Sequence, residues 1–467
     1  MRKLIALAAC AIVASGAIAA LSAASGDGLP VSARQAEKLA RETLGPNDGW
    51  AAFSTGTTGG AAADEDHVYL VTNRSELKAA IASLTGNPPR IIIVAGTIYA
   101  SVNDSNQPLA CTDYAAGTGY TLEAYLAAYD PAVWGRTEVP KGPLETARVA
   151  AANNQKNRIR LDIPSNTTIV GLGRDARIVG AHVRVNSADN VIIRNLTFED
   201  AYDCFPQWDP TDGSAGNWNS AYDLISLTGG KVSGVPVGAT HVWVDHCAFS
   251  DGAHPDSAQP QYFGRLYQQH DGALDITNAS DFVTVSWNRF SNHDKVMLIG
   301  SSDSGSTATG DVGKLNVTVH HNLFDRLVQR MPRVRFGKVH VYNNYYVVGD
   351  DFSYAWGVGI ASRIFAENNF FEVEGSTTPD EFIDWYKKPT STLELPNIGI
   401  YVGETLVNGP AIKNHVEVLN EYNAANPTKQ LAATVDWWPT LYEQMHPTSA
   451  VPALVTAKAG PFSLNEK

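Results

Sequence analysis

Between Arg326 and Arg335 the chain places four arginines in ten residues, within HHNLFDRLVQRMPRVRFG. The 467-residue chain carries a formal net charge of −13, so this concentration runs against its background. Guanidinium groups hold carboxylates and phosphates well, because each offers a planar fork of N–H donors. A basic run can equally be a solvated face, or a contact for nucleic acid or membrane. Acidic candidates also stand out: Asp223 opens DLISL, and Asp271 and Asp275 lie in DGALD. Stacked carboxylates suit a hard cation such as Ca²⁺, which takes oxygen ligands. Isolated Asp beside Gly is also a common turn former. The twelve histidines form no metal set, for His241 and His246 would point to opposite faces of a strand and His320 and His321 are adjacent. No HExxH, CxxC, GxSxG elbow, phosphate loop or dinucleotide fingerprint is present.

Such residues need a scaffold, and the chain repeats one. NVIIRNLTF ends at Phe198, HVWVDHCAF at Phe249, FVTVSWNRF at Phe290, NVTVHHNLF at Phe324, KVHVYNNYY at Tyr346 and RIFAENNFF at Phe371. Four of these runs carry Asn two places before the final aromatic: Asn288, Asn322, Asn344 and Asn369. The last five anchors are 41, 34, 22 and 25 residues apart. A bare unit of about 22 residues with insertions describes a β-solenoid. Its coils would stack about 4.8 Å apart, with an internal Asn ladder and an aromatic column. A β-sandwich would not bring Asn and aromatics back at one phase. The expected fold is therefore all-β, a parallel β-helix.

Phase along that solenoid places the candidate residues. Lys295 lies five residues past Phe290 and Arg330 six past Phe324, so both should stand on one side of adjacent coils. Asp223 and Asp275 open similar short runs and should stack on neighbouring coils. On a straight strand Asp271 would lie about 13 Å from Asp275, so a bend assisted by Gly272 is needed for convergence. In the loop FPQWDPTDGSAGNWNSAYD, Asp209 and Asp212 are read as turn formers ahead of a second cation site.

The ends and cysteines complete the reading. Arg2 and Lys3 followed by an alanine-rich apolar run describe a secretory signal peptide over residues 1–25, leaving a single domain over 26–467. No other segment reaches the roughly 18 apolar residues of a membrane span. The product is expected to be a secreted monomer. A disulfide is expected between Cys111 and Cys204, and a buried thiol at Cys247. A capping box at Ser32–Gln35 predicts a helix running to Leu44, and Asn73 with Glu76 predicts one to Leu84 that caps the first coil. The repeat fades from about Thr377, and the tail is expected to pack outside.

WVDHCAF, DGALDIT, VTVSWNRFSNHDKVMLIGSSDS and VTVHHNLFDRLVQRMPRVRFGKVHVYNNYY closely resemble the extracellular pectate lyases of right-handed parallel β-helix fold. The resemblance runs from about Asp66 to Gly460. It implies Asp223, Asp271 and Asp275 as Ca²⁺ ligands and Lys295 as a contact to the substrate carboxylate. It further implies Arg330 as general base and Arg335 as a substrate-binding arginine, acting on polygalacturonate by β-elimination. Arg326 and Arg333 receive no role, and the disulfide is not part of the resemblance. A neutral guanidine at pH 9 costs about 5 kcal/mol, from about 3.5 pKa units at 1.36 each. Ca²⁺, Lys295 and Arg335 are expected to lower that cost and give an alkaline optimum. A pectin lyase would not need the three acids, and a polygalacturonase would need carboxylates around a water. A binding solenoid would have no reason to keep Lys295 and Arg330 in phase. A basic patch matched to an acidic polysaccharide leaves no call for nucleic acid.

Overall fold

The computed structural model describes residues 30–303, 309–386, 399–409, 416–442 and 444–464. The proposed signal peptide lies outside them. Three parallel sheets of ten, eight and nine strands run the length of a right-handed β-helix, and each coil contributes a strand to each sheet in its complete turns. We call them the first, second and third sheets in that order. Strands Asp189–Arg194, Thr240–Asp245, Asp281–Ser286, Val317–His320, Lys338–Tyr342 and Arg363–Glu367 are consecutive in the first sheet. Their inward Val and Ile side chains fill one continuous core.

The repeat has the physical basis expected of it. Asn288 Nδ2 donates to Asn322 Oδ1 at 3.0 Å, Asn322 to Asn344 at 3.0 Å, and Asn344 to Asn369 at 3.1 Å. Each Oδ1 also accepts the preceding rung's backbone N–H, so the ladder satisfies polar groups that the corner would otherwise bury unpaired. Cys247 occupies the rung before Asn288 and donates its backbone N–H to it. Its buried thiol is pushed up in pKa by desolvation. Phe198, Phe249, Phe290, Phe324, Tyr346, Phe371 and Phe382 stack as an internal column, with centroids 4.1–5.6 Å apart. The residue before each rung position turns the chain in the left-handed region: Asn195, His246, Trp287, His321, Asn343 and Asn368 all have φ between 48° and 56°. Asn and His, which tolerate that region best among non-glycine residues, hold five of these six corners.

The ends differ in detail from expectation. Asn73 caps a helix over Arg74–Ala80 by accepting from Glu76 N, and Leu77 and Ile81 close the first coil. Leu84 lies beyond the helix and is exposed. The first helix spans Val31–Ala40 with Pro30 at its cap, so Ser32 does no capping. It lies against the outer face of the first sheet through Ala33, Ala36 and Leu39. Strands Gly399–Val402 and Thr405–Asn408 carry the solenoid past Thr377 by a further coil. The helix Val418–Ala425 closes that end, and Val451–Lys458 packs outside the third sheet on Leu323. Helices Cys111–Ala115, Leu122–Tyr129 and Pro143–Ile159 were not anticipated. They form a satellite core with the hairpin pairing Trp208 and Trp218, and the Cys111–Cys204 disulfide ties it together. Asp209 accepts from Thr211 N at 2.8 Å, as a turn former does.

The outer tail is docked through histidines. His446 lies 2.9 Å from His321 Nε2, and His321 Nδ1 lies 2.7 Å from His320, whose other nitrogen faces Asp48 at 3.0 Å. Burial, then His320, His446 and Lys458, hold the His321 pKa far below its ordinary value. Burial also lowers His340, on the neighbouring strand, despite its bond to Glu367. Both resist protonation in the fold more than in the unfolded chain, which takes up protons below about pH 6.5. Stability from these groups is therefore present above that pH and lost as pH falls, by up to about 1.4 kcal/mol per pH unit for each. Melting curves from pH 8 to 5 should fall less steeply for His321→Gln than for the parent. Parallel curves would remove His321 from the explanation.

Candidate active site

The second sheet carries the site. Its strands Ile225–Thr228, Leu274–Ile276, Leu298–Ile299, Arg333–Val334, Trp356–Val358 and Ile383–Trp385 lie side by side in that order. Just before them, Gly272, Lys295 and Gln329 form a row of isolated parallel bridges. Lys295 and Arg330 thus sit on adjacent coils as expected, with Arg330 one position further along. Arg330 has φ 64°, which swings it out of the line of its strand.

The acids meet differently from the phase argument. Asp275 pairs in register with Ser226, so Asp223 lies three residues ahead of the position expected for stacking. The coil insertions before these strands have unequal lengths, and distance from the aromatic anchor does not carry phase across them. The two carboxylates nonetheless converge at Gly272. Gly272 N donates to Asp223 Oδ1 at 3.0 Å, while a Cβ on Gly272 would stand 2.3 Å from Asp275 Oδ1. Gly272 contributes space here, and the bend falls at Ala273. Leu298 N donates to Asp275 Oδ1 at 2.9 Å. Asp271 is half-exposed and turns to Lys295, with 3.5 Å between Oδ1 and Nζ.

Burial, then Asp275 and Asp271, raise the Asp223 pKa well above the carboxylate range. Burial and Asp271 push Asp275 up to about 7. Two buried carboxylates facing each other with no cation between them are electrostatically costly. An all-oxygen donor set of this kind fits a hard divalent ion. Asp223 and Asp275 with Asp271 at the rim can therefore hold one, though Asp271 must leave Lys295 to join them.

A tighter trio, Asp251, Asp256 and His270, has ligand atoms all within 4.8 Å of one another. His270 uses Nδ1 toward Asp256 at 3.0 Å and Nε2 toward Asp200 at 3.2 Å. With carboxylates on both nitrogens it acts as an imidazolium and has no lone pair for a metal. Burial alone would depress it, but the bonds to Asp200 and Asp256 push it up to about 10. His293 bonds Asp251 through Nδ1 and the Lys295 carbonyl through Nε2. This buried network fixes the chain beside Asp271 and Lys295, and sequence reasoning missed it. The signal was present, since Asp200 and Asp251 each stand two residues past an aromatic anchor.

The arginine run separates into kinds. Arg326 is exposed and pairs with Glu374 and Asp325. Arg335 is buried, with Nε 2.7 Å from Asp303 and NH1 2.8 Å from the Gly300 carbonyl. The Arg330 side chain has no hydrogen-bond or ion-pair partner among the described residues, and its Nε is buried unpaired. Burial lowers its pKa, but Asp275, Tyr354, Asp271 and Asp294 outweigh that and raise it. Lys295 and Arg335 are not among the main influences, contrary to the expectation from charge proximity. Lys295 is spent on Asp271 and Arg335 on Asp303.

A family profile described as pectate lyase matches residues 17–118 and 142–384. A pectate lyase of Bacillus subtilis (strain 168) is 45% identical over 443 residues, which cover 94% of this chain and 97% of that protein. The solved structure of a thermostable pectate lyase superposes with a TM-score of 0.84 at 47% identity, covering 91% of this chain and 99% of its own. A pectate lyase bound to a hexasaccharide gives 0.81 at 44% identity, covering 91% and 100%. With the fold, the site and these relatives in agreement, the chain belongs to the pectate lyases, a family of polysaccharide lyases.

Proposed function

We propose that this protein cleaves de-esterified polygalacturonate by Ca²⁺-dependent β-elimination, with Arg330 as general base. The observation that carries the reading is a half-buried guanidinium, without a partner among the described residues, beside buried carboxylates in an otherwise acidic protein. Asp223, Asp271 and Asp275 would hold the ion. Bound there, Ca²⁺ would supply positive charge toward the uronate carboxylate and offset the acids' field at Arg330. Lys295, released from Asp271, would donate to the same carboxylate and stabilise the enolate-like charge as the adjacent proton leaves. Arg330 would take that proton, and the glycosidic oxygen would depart from the opposite face to leave an unsaturated sugar. Arg335 would help to hold the polymer, exchanging or sharing Asp303. Export with loss of residues 1–25, and action as a single-domain monomer on the extracellular polymer, complete the proposal. The apolar leader supports the first, and one uninterrupted solenoid core supports the single domain. No helix among the described residues is long and apolar enough to cross a membrane.

Incubation with polygalacturonate and Ca²⁺ should generate the ultraviolet absorbance of an unsaturated product, and chelator should stop it. New reducing ends without absorbance would replace elimination by hydrolysis. Activity unaffected by chelation would sink the role of Ca²⁺.

A further inference from the structure

Arg333 shares with Arg330 the condition that the other two arginines of the run have escaped. Among the described residues its side chain has no ion-pair or hydrogen-bond partner, and its Nε is buried unpaired. Burial, then the like charges of Arg335 and Arg330, hold its pKa below the usual arginine value. Its one specific contact is with an aromatic ring, the guanidinium carbon lying 3.7 Å from the Tyr386 centroid.

Tyr386 is not a neighbour in the sheet. Arg333 pairs with Gly357, and Gly357 pairs with Asp384, so Tyr386 follows a strand two coils away, about 10 Å along the solenoid. Gly357 makes the crossing possible. A Cβ there would stand 2.9 Å from Arg333 Cγ and 2.8 Å from Tyr354 Cε2. The side chain is thus laid across the missing side chain of the next coil onto a ring beyond it. One guanidinium face is occupied by Tyr386, while the N–H edges that fork onto carboxylates make no bond among the described residues. Tyr354 and Tyr386 lie 5.3 Å apart and flank the same position.

We infer that Arg333, seated on Tyr386 across Gly357, is a binding subsite for a second uronate carboxylate, displaced from Arg330 toward the C-terminal coils. The inference rests on polygalacturonate being the substrate, and a polymer with a carboxylate on every sugar supplies the anion that this cation lacks. A purely structural cation–π pair is the competing account.

The test uses Arg333→Gln, Tyr386→Ala and Tyr386→Phe in the full chain. Arg333→Gln should raise KM for polygalacturonate about tenfold, the scale of one charge-assisted hydrogen bond, with kcat within about twofold. Tyr386→Ala should reproduce part of that rise and Tyr386→Phe, which keeps the platform, should restore the parent KM. A lower melting temperature with unchanged KM would overturn the subsite in favour of a structural pair. Calorimetric titration with polygalacturonate separates this from the proposed function. If the parent binds the polymer but yields no unsaturated product, the elimination reading fails, while about tenfold weaker binding by Arg333→Gln still supports the subsite. Equal affinities overturn the subsite whatever the chemistry.

Discussion

Arg330→Lys should lower kcat on polygalacturonate by about 10²- to 10⁴-fold at pH 9, the range for loss of a positioned general base. The substitution is a demanding one because lysine is the easier amine to deprotonate, with a reference pKa about two units below arginine. If proximity of any base sufficed, lysine would equal or exceed arginine at high pH. The structure argues that position decides. The backbone at Arg330 is held by its carbonyl, which accepts from Met297 N at 2.8 Å, and by a left-handed φ of 64°. A planar fork leaving that corner reaches a fixed point, whereas an ammonium on a flexible stem does not. The side chain makes no internal hydrogen bond among the described residues, so the fold loses none by its replacement. The melting temperature should therefore stay within a degree or two of the parent, separating a catalytic loss from unfolding. Lysine retaining activity within tenfold of the parent across pH 8–10 would remove Arg330 from the role of base.

What could be read from the sequence follows from how a parallel solenoid repeats its environments. Asn322 and Phe324 meet the same surroundings in every coil, so their types recur and the ladder and column are legible in advance. Lys295 and Arg330 benefit from the same rule, since the stretch between aromatic anchor and side chain is nearly equal in their coils. Asp223 and Asp275 do not, because loops of different length precede their strands and only the hydrogen-bonded register shows Ser226 opposite Asp275. The Asp200–His270–Asp251–His293 network joins three coils through loops, and no local pattern announces which histidine faces which acid. The helix Pro143–Ile159 was missed although Pro143 stands at its first turn with Glu145 behind it. The face it buries is mostly small or polar, with Glu145, Ala147, Arg148, Ala151 and Gln155 set against an aromatic cluster, so apolar periodicity gave no signal. Charge partners also escaped: Asp303 beside Arg335 and Asp271 beside Lys295 are facts of packing that changed which arginines are left unpaired.

Asp275→Asn should abolish the response to Ca²⁺ in two independent measurements. In the parent, Ca²⁺ at 100 times its Kd should stabilise the fold by about 2.7 kcal/mol, visible as a rise in melting temperature that chelator reverses. Asp275 is buried against Gly272 beside Asp223, and burial with Asp271 makes its charge costly in the absence of a cation. Asparagine keeps the shape and an oxygen that can accept from Leu298 N, but it withdraws a full negative charge from the ligand set. The Ca²⁺-free variant should therefore melt no lower than the Ca²⁺-free parent, while its melting temperature barely moves when Ca²⁺ is added. Activity at a Ca²⁺ concentration that saturates the parent should fall by at least about 100-fold, with partial recovery at much higher concentration. A structural role for Asp275 would give a different pattern, a lower melting temperature with the Ca²⁺ response intact. If Asp275→Asn gains as much stability from Ca²⁺ as the parent does, the ion is held elsewhere, and the convergence of Asp223 and Asp275 on Gly272 needs another explanation.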